Sequence, residues 1–232
     1  MFRKDLDGEI GEINALLQEY DMQVCNFIPA QFRYPSQLCS DNEYVRRDSV
    51  GYIRSAMENA RKVHCPSVSL CPGMVVFDRD LKTGWKQLRR SLAELAEMNA
   101  DFGLDLLIEP AHRFETNLIL TVEDCLRMID ELKSDRFGVL LDTGHAHVNG
   151  EDFARIIPMC KGLPFHIHLD DNDTSADQHL QPGEGTIDFK RLAGLLGESG
   201  YEGFISAELG LAYIMDPGLA CRRTMDFFRE TF

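Results

Sequence analysis

The chain has 232 residues, 44% of them hydrophobic, enough for a sizeable core, and reads as one domain over residues 1–232. Its formal net charge of −14, with no basic run, argues against a phosphate backbone as partner and so disfavours a nucleic-acid substrate. No run approaches transmembrane length, the N-terminal MFRKDLDGEIGEI is charged where a signal peptide needs an apolar stretch, and seven scattered cysteines lack any C-x-x-C spacing; a cytoplasmic protein with reduced thiols and no membrane partner is expected.

Helical and strand patterns alternate along the whole chain. A helix is expected at about Gly8 to Tyr20, where Ile10, Ile13, Leu16 and Leu17 recur at helical spacing, then a strand at Met22 to Ile28 and a loop with Pro29, Tyr34 and Pro35. A long helix, about Asn42 to Val63, precedes a strand at Ser67 to Cys71, and a helix at Leu81 to Phe102 precedes a strand at Leu104 to Glu109. The rest reads as helix Thr121 to Leu132, strand Arg136 to Asp142, helix Glu151 to Ile157, strand Phe165 to Leu169, helix Asp188 to Glu198 started by Thr186 or Asp188, strand Gly203 to Leu209 and helix Pro217 to Glu230. Strand alternating with helix means parallel strands, and the expected fold is α/β, a TIM-type βα barrel. Six strands are counted where a closed barrel has eight, so the first strand-helix-strand is expected to lie before Met1.

Four potential metal donors, Glu109, Asp142, His168 and Glu208, end four consecutive strands. In a parallel barrel all strand C-termini open on one face, so these side chains converge there. One acid at a strand end is more often a turn former or helix cap; four donors at the same place in successive units point to one divalent metal. Six of the seven histidines fall between His112 and His179, under a third of the chain. His145 lies three residues after Asp142, in the loop above it, where an imidazole suits metal or substrate binding, while His147 reads as a surface residue. His166 shares the face of His168 one layer deeper and reads as a hydrogen-bonded core residue. The turn-rich segment Asp177 to Gly185, D-Q-H-L-Q-P-G-E-G, is expected to fold over the site, with Asp177 and His179 as candidates for substrate contact. Glu115, six residues after Glu109, is far enough along the chain to fold back across the mouth and equally compatible with a solvated loop acid. Three carboxylates and one imidazole suit a hard or borderline ion: Mn is the first choice, with Mg, Co and Zn also compatible.

Glu-Pro with a second Glu six positions on, L-D-T-x-H, H-x-H-L-x-D, D-x-H-x-x-P-G-E-G and a last strand ending A-E-L together resemble the sugar isomerase and epimerase branch of the xylose-isomerase-like barrels. The likeness is greatest to fructoselysine 3-epimerase and the tagatose and psicose 3-epimerases, in order from about Ile13 to the C-terminus. It implies a small-molecule sugar substrate, inverted at C3 of a ketose or ketosamine; a homo-oligomer is expected separately, because two missing strands leave open sheet edges for a partner subunit to cover. It also implies Glu109, Asp142, His168 and Glu208 as metal ligands, Glu109 and Glu208 doubling as the acid/base pair, and His145 and Glu115 as substrate contacts. Two departures stand out. The first strand-helix-strand has no counterpart, and the arginine that ketose epimerases carry after the metal histidine is replaced by Asn172, Asp173 and Thr174. Endonuclease IV, a zinc enzyme of DNA repair on the same barrel, is resembled at Glu109, Asp142, His145, His168, Asp177, His179 and Glu208, but Cys71 and Met74 stand where it needs imidazoles. The alternative from another class is a non-catalytic metal- and sugar-binding barrel or subunit.

Overall fold

The computed structural model describes residues 8–31 and 36–232; Tyr34 and Pro35, read above as loop residues, and the first seven residues lie outside them. Helix α1 (Ile10–Glu19) rests Ile10 and Ile13 against the core. The segment expected as a first strand joins the sheet through one parallel bridge, Phe27 to Val68. The ladder stops there because Asn26 turns its amide to the Ser67 and Ser69 hydroxyls, at 2.9 and 2.8 Å, and Pro29 carries no N–H.

Beyond it, strand and helix alternate as the sequence requires. Helix α2 (Glu43–Lys62) is capped by Asn42, which accepts from Tyr44 N, and buries Val50, Ile53, Met57 and Ala60 along one stripe. Strand β1 (Ser67–Leu70) leads to helix α3 (Leu81–Asn99) and strand β2 (Asp105–Ile108). The expected continuation of α3 to Phe102 is cut at Asn99, whose amide bonds both the N–H and the C=O of Leu104, while Gly103 turns the chain at φ +66°. Helix α4 (Val122–Leu132), strand β3 (Phe137–Asp142), the short helix α5 (Thr143–Val148), helix α6 (Phe153–Met159) and strand β4 (Phe165–Leu169) follow. Helix α7 (Phe189–Ser199), started by Asp188, strand β5 (Ile205–Ala207) and helix α8 (Pro217–Thr231) complete the chain.

The five strands form one parallel sheet in the order β1-β2-β3-β4-β5, with helices packed along it, an incomplete TIM-type barrel. Alternation gives the sheet two different faces. Val68, Leu70, Leu106, Ile108, Val139, Leu141, Ile167 and Leu169 form the core with the helices. The opposite face carries Ser69, Cys71, Glu109, Asp142, His166, His168, Ser206 and Glu208, so the polar chemistry of the chain is concentrated on the concave side. Strand β3 and the turn before β4 approach so closely that a side chain at Gly138 would lie 1.9 Å from the Pro164 carbonyl oxygen.

Candidate metal centre

Glu109 follows the last residue of β2, Asp142 ends β3, His168 is the penultimate residue of β4, and Glu208 follows β5. The ladder hydrogen bonds continue to both glutamates: Glu109 N donates to Leu70 O and Glu208 N to Leu169 O, each at 3.1 Å. The four side chains offer ligand atoms within 4.8 Å of one another. His168 Nδ1 lies 2.5 Å from Glu208 Oε2, 3.9 Å from Glu109 Oε1 and 4.0 Å from Asp142 Oδ2.

Glu109 and Asp142 are 3% and 1% exposed, and burial raises the pKa of both. Burial opposes charge on His168, but the bond to Glu208 and the carboxylates of Glu109 and Asp142 outweigh it and push its pKa up to about 8. Glu208 is half-buried; burial pushes its pKa up, but the hydrogen bond and charge of His168 outweigh this and hold it below the usual range. Asp142 Oδ2 is buried with no hydrogen-bond partner, while Oδ1 accepts from His145 N at 2.7 Å. An unsatisfied buried carboxylate oxygen facing two more carboxylates and an imidazole fits a divalent cation.

That capping bond also gives His145 a different setting from the expected loop. The Asp142 side chain starts α5, and His145 sits inside this helix with its ring buried. Its Nδ1 is 3.8 Å from Glu109 Oε1, and its Nε2 is 3.6 Å from both Glu115 Oε2 and Asp177 Oδ2. Neither ring nitrogen has a hydrogen-bond partner. Burial disfavours its charge, but Asp142, Asp177 and Glu109 raise its pKa well above the usual value. Asp177 gathers imidazoles, with His179 Nε2 at 2.8 Å and His112 Nε2 at 3.1 Å; they overcome burial and hold its pKa far below the usual range. Glu115 is half-buried beside them, its pKa raised by burial. All eight residues singled out in the sequence therefore lie in one continuous patch at the C-terminal edge of the sheet.

His166 is 4% exposed, its Nε2 and Ser206 Oγ 2.9 Å apart, and burial lowers its pKa to about 4, consistent with a neutral hydrogen-bonded residue below the site. His147 is half-buried, with Nε2 and Thr186 Oγ1 2.9 Å apart.

Four site residues escaped the sequence reading. Cys71 donates its thiol to Glu109 Oε2 at 3.6 Å, and burial with the Glu109 charge keeps that thiol protonated. His112 gave no signal beyond belonging to the histidine cluster. Asp171, fully buried, accepts from the N–H groups of Gly183 and Gly185 at Oδ2 and of Asn172 and Ile187 at Oδ1, and so ties the glycine-rich turn to the end of β4. Asp170 faces His179 Nδ1 at 3.0 Å.

The family described as xylose isomerase-like TIM barrel matches residues 1–231. Fructoselysine 3-epimerase of Escherichia coli O157:H7 is 28% identical over 229 residues, covering 98% of this chain and 83% of that protein. The crystal structure of a D-tagatose 3-epimerase-like protein superposes with a TM-score of 0.80 at 25% identity, covering 97% of this chain and 85% of the other. A structure of the IolI protein with a bound zinc atom superposes with a TM-score of 0.75 at 16% identity, covering 97% and 84%, which speaks for the fold.

Proposed function

The chain belongs to the xylose isomerase-like TIM barrel family, and from that premise we propose that it is a metal-dependent sugar epimerase inverting C3 of a ketose or ketosamine. The observation that carries the reading is the convergence of Glu109 and Glu208, from opposite ends of the four-strand run β2 to β5, on one group with Asp142 and His168. Relatives named as epimerases and isomerases of sugars support an isomerase.

A proton beside a ketone is acidic enough to remove only if the charge left behind is stabilised, and inversion needs delivery from the face opposite removal. Two carboxylates answer that need: one glutamate takes the proton, the other returns one to the opposite face. Burial raises the pKa of Glu109 and His168 lowers that of Glu208, so the pair starts with unequal basicity, which suits one donor and one acceptor. What a bound divalent ion supplies is Lewis acidity toward the substrate oxygens. Glu109, Asp142, His168 and Glu208 would hold it, with Mn the preferred metal.

His145, Glu115, Asp177 and His179 extend the patch on one side and are read as contacts to sugar hydroxyls. The unpartnered ring nitrogens of His145 support this, because a buried imidazole without a partner gains most from a polar ligand.

The test is a screen of ketoses and ketosamines in D2O with Mn-loaded protein, followed by NMR. Deuterium at the carbon beside the ketone, together with the inverted sugar, is expected. Specific sugar binding with neither exchange nor inversion in any compound would replace the enzyme with a non-catalytic binding barrel.

A further inference from the structure

The sheet sets Cys71 beside Glu109. Leu70 and Ile108 are register partners in the ladder of β1 and β2, so the residues that follow them, Cys71 and Glu109, stand next to each other on the concave face. Both are almost wholly buried, at 5% and 3% exposure. The thiol donates to Glu109 Oε2 at 3.6 Å, while Glu109 Oε1 faces the imidazoles of the site, 3.8 Å from His145 Nδ1 and 3.9 Å from His168 Nδ1. One carboxylate oxygen is thus held by the wall of the barrel and the other is turned inward.

Cys71 is itself fixed from its other side. Gln31, also buried, accepts from Cys71 N with Oε1 at 2.9 Å and donates from Nε2 to Cys71 O at 3.3 Å. One side chain from 40 residues earlier therefore satisfies both backbone groups of Cys71 and fixes where its thiol starts. The last torsion of a glutamate is broad and roughly two-fold, so the rotamer of Glu109 alone does not set the plane of its carboxylate. A partner on Oε2 does.

We propose that Cys71, clamped by Gln31, is a positioning residue that orients the Glu109 carboxylate and presents Oε1 to the divalent ion. The inference rests on the proposed role of Glu109 as metal ligand and base. A thiol suits the task because it is a weak donor: it sets the direction of the carboxylate while drawing little of the charge that the ion and the substrate proton need. Removing a group that supports a metal ligand costs roughly 10–100-fold in metal affinity or activity, and a weak donor belongs at the lower end.

The test compares the whole chain with Cys71→Ala, which removes the donor, and Cys71→Ser, which keeps one, by calorimetric titration with Mn. Cys71→Ala is expected to bind Mn about tenfold more weakly, with Cys71→Ser between it and the wild type. In D2O exchange of a turned-over ketose or ketosamine at saturating Mn, Cys71→Ala is expected to lose kcat while KM holds. Equal Mn affinity in all three proteins would overturn the proposal. So would equal weakening in both variants, because that assigns the effect to the volume of the sulfur and not to its proton. Mn affinities in the expected order with no exchange in any protein would support the positioning role and remove the epimerase reading alone; no Mn binding by the wild type would overturn both. Infrared difference spectra of wild type against Cys71→Ser isolate the S–H stretch of this thiol. It is expected at the lowered frequency of a hydrogen-bonded donor and to persist on Mn loading; a free-thiol frequency, or loss of the band on Mn loading, would overturn the proposal. Should Cys71→Ala fail to fold, that spectrum decides.

Discussion

Asp142 on β3 and His168 on β4 are direct register partners in the parallel ladder, so the sheet itself sets an acid beside an imidazole at its C-terminal edge. Neither side chain needs a flexible loop to reach the other. A site built on paired strand ends is preorganised, and its affinity for metal depends on what must be displaced from it.

What must be displaced is a proton. His168 has a pKa of about 8 in the metal-free protein, above its ordinary value, so below pH 8 the imidazole is mostly protonated and unable to ligate. As pH rises through that value the lone pair is freed. Mn affinity is therefore expected to climb about tenfold per pH unit below pH 8 for this one proton and to flatten above it. Calorimetric titrations from about pH 6 to about pH 9 check this; an affinity that is constant or falls with pH contradicts it.

Asp171 accepts four backbone N–H groups with both oxygens and is fully buried. Asp171→Ala is expected to release the turn around Gly183 to Gly185 at a cost of about 3 kcal/mol or more, since each bond to a charged acceptor contributes roughly 1.5–3 kcal/mol. Hydrogen exchange at Gly183, Gly185 and Ile187 should accelerate while amides of β3 stay protected. Equal protection in the two proteins would show that the turn is held by other contacts.

Arg46 is buried far from the site and joins α2 to α3 through Glu94 at 2.9 Å and Ser91 at 3.1 Å, and it also pairs with Glu43. Arg46→Ala removes both the packing and the pairing and is expected to lower stability by about 3 kcal/mol. Arg46→Met, which keeps the volume, should cost less. Urea unfolding of both variants gives the comparison, and equal stability of all three proteins would contradict it.

The features most legible in the sequence are those that one strand or one helix decides alone. The short apolar runs that carry Glu109, Asp142 and His168 alternate with helix-length segments, as buried parallel strands do, and their C-terminal ends place the proposed ligands. Phe27 was harder to read: Met22 to Ile28 has strand composition, but the side chain of Asn26 competes for the neighbouring strand. Asp170 and Asp171 stand side by side in the sequence with identical chemistry, and only the fold separates a partner of His179 from a tether for a turn. His112 meets Asp177 across 65 residues of chain, a contact that no local spacing announces.

Glu109 and Glu208 are proposed to work as a pair on one carbon. Glu109→Gln and Glu208→Gln keep size and one oxygen donor while abolishing the base, provided that metal content is matched, since both residues are proposed ligands. The measurement is NMR of a turned-over ketose or ketosamine after long incubation in D2O with each Mn-loaded variant. Both variants are expected to lose inversion, and at least one is expected still to exchange the hydrogen beside the ketone for deuterium. Inversion surviving at the wild-type rate in either variant would contradict it.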